Sequence, residues 1–217
     1  MRLRSKEEAI QIISKAAIEY KKNLSNKIVL FITSMGDTLN YFEALFLPQN
    51  FKHLTGIRSK HSGADFFNLA VRNRISPNDI VLANDGTTDL KLDVLPQLMN
   101  IHITARMVGD FDHSKSILVT DKIAGTVTAA MGFKKTKELY LPNTALKKDV
   151  RDVTAKTTRQ RVIATFIKHR NENLYKHLTY IAKGVFIDDD ILSLIVQEKV
   201  DSVGLAADSP IPRRAVE

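Results

Sequence analysis

The chain has 217 residues, 44% hydrophobic and 26% charged, which suits one well-buried core and excludes bulk disorder. It contains no cysteine, so disulfides, thiolate metal sites and a thiol nucleophile are excluded. The formal net charge is +8, and His113 to Lys183 carries 15 Lys and Arg against 5 Asp and Glu, so the excess lies in one segment and points to a polyanionic partner, with a solvated basic surface kept for solubility as the alternative.

The first residues, Met1 to Glu8, lack the apolar core of a signal peptide. No apolar run approaches the roughly 20 residues of a membrane span. The expected compartment is therefore the cytoplasm, with no membrane partner. Ser5 to Leu24 reads as a helix: Ser5 and Glu8 have capping-box spacing, and Ile10, Ile13, Ala17 and Tyr20 recur at helical steps. Lys27 to Thr33 and Asn40 to Phe46 read as strands around a Gly36-Asp37 turn, which allows a hairpin. Pro48 opens a short helix that Gly56 stops, and Ser62 to Arg74 is a further amphipathic helix. Leu90 to Met107 reads as mostly helical, with Pro96 near its first turn or at a kink.

The second half changes character. Ser116 to Thr120, Gly125 to Phe133 and Lys137 to Leu141 read as short strands, and Pro142-Asn143-Thr144 opens a turn or helix running to Val150. Val162 to Lys168 and Leu174 to Lys183 read as a hairpin around Asn171-Glu172-Asn173. A last helix is expected over Asp190 to Lys199, and a loose tail from Ala206. Helices followed by antiparallel strands argue for an α+β fold rather than a βαβ array.

Walker loops, dinucleotide-binding glycine turns and nucleophile-elbow serines are absent. His169 and His177 would sit on one hairpin without a third ligand, and Asp188-Asp189-Asp190 reads as a helix N-cap, so neither a metal nor another cofactor is expected. Metal-free RNA cleavage needs a base for the 2′-hydroxyl, an acid for the leaving oxygen and cations or amides for the charged phosphorane. In Phe51-Lys52-His53-Leu54-Thr55-Gly56-Ile57, His53 and Thr55 flank an apolar anchor and can face a cleft; alternatively His53 simply complements a helix C-terminus. Asn143 and Thr144 can bind a phosphate or a base edge, or merely cap a helix. Arg159, Arg161, Lys168 and Lys183 supply cations on or beside strands, or simply an exposed sheet face.

The string Asn50 to Ile57 resembles the opening of a phage and prophage family of ribonucleases related to the Barnase, EndoU, colicin and RelE nucleases. The resemblance continues through Leu95-Pro96-Gln97-Leu98 to Arg106, through Asp121 to Gly125 and Met131-Gly132-Phe133, through Leu141 to Leu146, and ends near Tyr180 to Gly184. It implies N-terminal helices packed on a small, four-stranded antiparallel β-sheet. It also implies metal-independent RNA cleavage by a toxin or effector, which a protein inhibitor would restrain. From the family signature come His53 and Thr55, and more weakly Asn143 and Thr144. Cation roles for Arg161 and Lys183 are inferred from the residues alone. The expected organisation is an N-terminal helix over 1–26, a nuclease domain over 27–184 that opens on an additional hairpin, and a C-terminal helix and tail over 185–217. Two other readings stay open: an RNA-binding or regulatory module that has lost catalysis, and an ADP-ribosyl transferase-like enzyme.

Overall fold

The structure, a computed structural model, describes residues 3–114, 118–137 and 139–186. Helix α1 (Lys6–Asn23) begins as its sequence predicts: the Ser5 side chain accepts from the Glu8 amide while the Glu8 carboxylate accepts from Ser5 N. Its apolar stripe, Ala9, Ile13, Ala16, Ala17 and Tyr20, is buried, and Tyr20 anchors the following chain by donating to the Leu47 carbonyl at 2.9 Å. Strands β1 (Lys27–Met35) and β2 (Thr38–Phe46) form the expected antiparallel hairpin. Short helix α2 (Phe51–Thr55), strand β3 (Arg58–Ser59), helix α3 (Gly63–Val71), strand β4 (Ile80–Val81), helix α4 (Thr87–Leu98) and short helix α5 (Ile101–Thr104) follow. Next come β5 (Met107–Asp110), β6 (Lys122–Gly125), β7 (Ala130–Lys135), β8 (Tyr140–Leu146), short helix α6 (Val150–Val153), β9 (Gln160–His169) and β10 (His177–Ile181).

These strands do not make a small antiparallel sheet under helices. Seven of them close into a barrel in the order β1-β2-β8-β7-β6-β5-β9, and β9 pairs back onto β1 from Lys27↔His169 to Ser34↔Arg161. The sheet is mixed, because β2 meets β8 in parallel at Ala44↔Tyr140. β10 lies beside the second half of β9, where β5 has left that edge. The hairpin read as an addition to the nuclease domain is thus two staves of the barrel. Closure satisfies sheet edges that a flat sheet would leave bare.

Burial explains why β1 reads as an unbroken apolar run. Val29 and Phe31 face the main core, while Ile28, Leu30 and Ile32 pack with Phe166 and Tyr175 in a second cluster, so both faces of the strand are covered. In the main core Phe31 stacks on Phe42 at 4.7 Å, and Phe133 meets both edge-on. Tyr20 continues the ring contacts through Phe46, Phe51 and Phe67, so α1, α2 and α3 share one core with the barrel.

Several local expectations change. Pro142-Asn143-Thr144 lies inside β8, not at a turn. The register slips between Gly132 and Phe133, and this irregularity admits a proline, which has no N–H to give the ladder. Gly125 to Phe133 is not one strand; Thr126 to Ala129 turns between β6 and β7. The run Leu90 to Met107 divides into α4, which begins at Thr87 and ends two residues after Pro96, then α5 and the start of β5. Residues 118–120 are irregular, while 116 and 117, the helix over Asp190 to Lys199 and the tail lie outside the described residues.

Candidate functional site

The six residues from Phe51 to Gly56 fold as a plug with one exposed imidazole. Phe51 and Leu54 are fully buried, Phe51 packing 5.3 Å from Tyr20 and 5.4 Å from Phe67. His53, on the other side of this single turn, is exposed. Thr55 is fully buried; its hydroxyl donates to the Lys52 carbonyl at 2.8 Å and accepts from Ile57 N at 3.2 Å, so it shapes the helix end. Gly56 ends the turn at φ +70°, a left-handed backbone that glycine adopts without strain. Its carbonyl accepts from Thr88 Oγ1 at 3.0 Å, which in turn accepts from Ala83 N at 3.0 Å. The loop is thereby fastened to the first turn of α4.

That fastening brings Lys91 of α4 to His53, whose chain neighbour Lys52 supplies a second ammonium. The Lys91 stem crosses Gly56 so closely that a Cβ there would stand 2.8 Å from Lys91 Cδ, and its Nζ donates to the His53 carbonyl at 3.2 Å. Lys52 Nζ donates to the carbonyls of Ser59 at 2.9 Å and His61 at 2.6 Å. Partial burial, then the charges of Lys91 and Lys52, hold the His53 imidazole below its ordinary range. Burial likewise lowers the Lys91 ammonium. The neutral, proton-accepting form of His53 is thereby favoured over what a free imidazole would show. Farther along, Asp79 takes Lys60 at 3.2 Å and His61 at 3.1 Å. The hydrogen bond from Ser76 N is the main reason its carboxyl is held down to about 2, with His61 and Lys60 adding to it.

The other residues singled out from the sequence lie elsewhere. Arg161 and Lys183 come together, both exposed, with Arg161 Nη2 3.4 Å from the Lys183 carbonyl. Among the described residues no hydrogen bond or ion pair joins them to His53. Asn143 accepts from Thr120 Oγ1 at 3.0 Å and donates to the Val119 carbonyl, pinning a loop to β8. Thr144 is buried over Gly132, where a Cβ would come within 2.7 Å of its methyl. Arg159 donates to Thr154 Oγ1 at 3.2 Å, to the Thr154 carbonyl at 3.0 Å and to the Arg151 carbonyl, tying down the end of α6. Lys168 donates to the Asn173 carbonyl at 3.0 Å and lies 4.6 Å over the Tyr175 ring.

Lys91 escaped sequence reasoning because it lies in a segment without basic excess and reaches His53 only through tertiary contact. Another flank of α4 borders a cleft of about 730 Å³ lined by Leu3, Arg4, Ile12, Leu90, Asp93 and Lys147 among others. Its charges are already matched: Arg4 pairs with Asp89 and Asp93, and Lys147 with Asp93 at 2.7 Å. It therefore presents little net field to a polyanion.

The model of one family, described as phage-Barnase-EndoU-ColicinE5/D-RelE like nuclease4, matches residues 12–184. The chain belongs to this family. The match begins within α1, ends after β10 and takes in both the His53 ledge and the barrel, which bears out the family resemblance read from the sequence. Membership in a phage-associated nuclease family makes nucleic acid the substrate class. Neither the curated proteins nor the solved structures contain a match to this nuclease-family chain. Among the described residues no three His, Asp or Glu side chains gather as a metal site requires, and no helix is long and apolar enough to cross a membrane.

Proposed function

We propose that this member of the nuclease family is a metal-independent endoribonuclease, a toxin or effector held in check by a protein inhibitor, with His53 as its proton-transfer group. The observation that carries the reading is an exposed imidazole on the loop that Lys91 and Lys52 flank, with Lys91 Nζ on the His53 carbonyl and both charges favouring the neutral ring. A neutral imidazole can take the proton of a ribose 2′-hydroxyl as that oxygen attacks the adjacent phosphorus. The bond to the 5′-oxygen breaks, that oxygen takes up a proton, and nearby cations steady the charge of the phosphorane. Water is not consumed, and the fragments carry a 2′,3′-cyclic phosphate and a 5′-hydroxyl.

The purified protein is to be tested on total RNA in a chelator. Cleavage is expected, and His53→Ala is expected to slow it by roughly 10²–10⁴-fold with little change in melting temperature. A folded His53→Ala protein that cuts at the parent rate removes His53 from the reaction. Activity that disappears in chelator and returns with magnesium rejects the metal-independent scheme. One observation favours a binding module without catalysis: among the described residues no hydrogen bond orients the His53 ring, whereas a general base is commonly held by a third group. RNA retention with no cleavage is the outcome that reading requires.

A further inference from the structure

The geometry points to Lys91 as the group that grips a phosphodiester beside His53, in an anion subsite built jointly by α4 and Gly56. The identification of the anion as RNA phosphate rests on the ribonuclease reading; the subsite itself does not. Three features single out Lys91 among the cations of the ledge. Its stem lies in the notch over Gly56, so much of the entropy of ordering a long side chain is already spent before ligand arrives. Its ammonium gives one hydrogen bond to the His53 carbonyl, and an ammonium has three to give. Lys52, by contrast, already spans two carbonyls. Finally, both carboxylates of α4 are engaged away from it: Asp89 by Arg4, and Asp93 by Arg4 and Lys147. Lys91 therefore keeps its field for an incoming anion, with its Nζ 3.2 Å from the His53 carbonyl.

The probe is a single-stranded RNA oligonucleotide with 2′-O-methyl riboses, which cannot be cut by attack of a 2′-hydroxyl. Binding across a salt series is compared for the parent, Lys91→Gln, Lys91→Arg and the α1 surface control Lys15→Gln, all first checked for an unchanged melting temperature. Loss of one phosphate contact is expected to flatten the slope of log affinity against log salt by about 0.7 in Lys91→Gln, and to leave Lys91→Arg and the control near the parent. The His53 ring resonance is also expected to respond to inorganic phosphate in the parent and not in Lys91→Gln. An unchanged slope together with an unchanged phosphate response in Lys91→Gln overturns the subsite. If both readouts are lost while the parent leaves ordinary RNA intact, the subsite stands and the ribonuclease reading falls. If the parent cuts RNA and Lys91→Gln keeps its slope and its kcat, the reverse holds.

Discussion

Gly56 does two jobs that only a missing side chain allows. Its φ of +70° would cost an L-residue about 1–2 kcal/mol, and a methyl group there would stand 2.8 Å from Lys91 Cδ. Gly56→Ala should therefore lower stability and also push the Lys91 stem off the loop. In a Lys91→Ala background only the backbone cost should remain. Melting temperatures of the two single variants and the double variant measure this; additive losses would show that the close approach carries no energy. The same scale shows what the sequence revealed of the site. His53 stood out in its string because an imidazole between apolar anchors is unusual. Thr55 stood out for the same reason, yet it turned inward: residues two apart on a single helical turn lie on different sides, and the Thr55 hydroxyl found the Lys52 carbonyl. Lys91 had no local mark at all.

At the scale of elements, short-range signals were legible and long-range ones were not. The capping box of α1, the hairpin of β1 with β2 and the turn between β9 and β10 each depend on neighbours a few residues apart. The strand through Pro142 depends on a slipped register with β7, which no local pattern announces. α2 is too short to be stable alone; it survives because Phe51 and Leu54 are sunk in the core. Phe51→Ala should thus cost about 3–5 kcal/mol, with activity falling only as far as the folded fraction falls. Denaturant titration beside rate measurement separates this from His53→Ala, for which rate and stability should change in the opposite proportion. A Phe51→Ala protein as stable as the parent would show that α2 is not held by its anchor.

For the whole molecule, several cations of the basic segment are engaged within the fold, which charge counting along the chain does not show. Lys122 is paired with Asp110, Lys147 with Asp93 and Arg151 with Asp149, and Arg159 is spent on backbone carbonyls. The cations at His53 come from outside that segment. Acid stability is also a property of the whole fold. His102 is buried, with no hydrogen-bond partner for Nδ1 among the described residues, and burial, helped by the charge of Lys27, depresses it to about 4. Above pH of about 6.5 the ring is neutral in both folded and unfolded chains. As pH falls from there toward 4 the unfolded chain gains a proton that the folded chain refuses, so stability is lost across that window. The loss should be of the order of 2 kcal/mol once partial solvent screening is allowed for. Melting temperatures between pH 7 and 4.5 should fall less in His102→Gln than in the parent; parallel curves would assign the acid sensitivity to other groups.

The barrel joins one of its earliest strands to one of its last. Lys27 pairs with His169, so nearly the whole domain must leave the ribosome before β1 has both neighbours. Contacts this far apart in sequence slow folding. Until β9 arrives, β1 presents one bare row of amides and carbonyls, which invites pairing with other chains and attack by proteases. A product ending short of Gln160 never covers that edge. On the ribonuclease reading proposed above, late closure would act as a safeguard during synthesis: the scaffold behind the His53 ledge firms up only when translation of the domain is almost done.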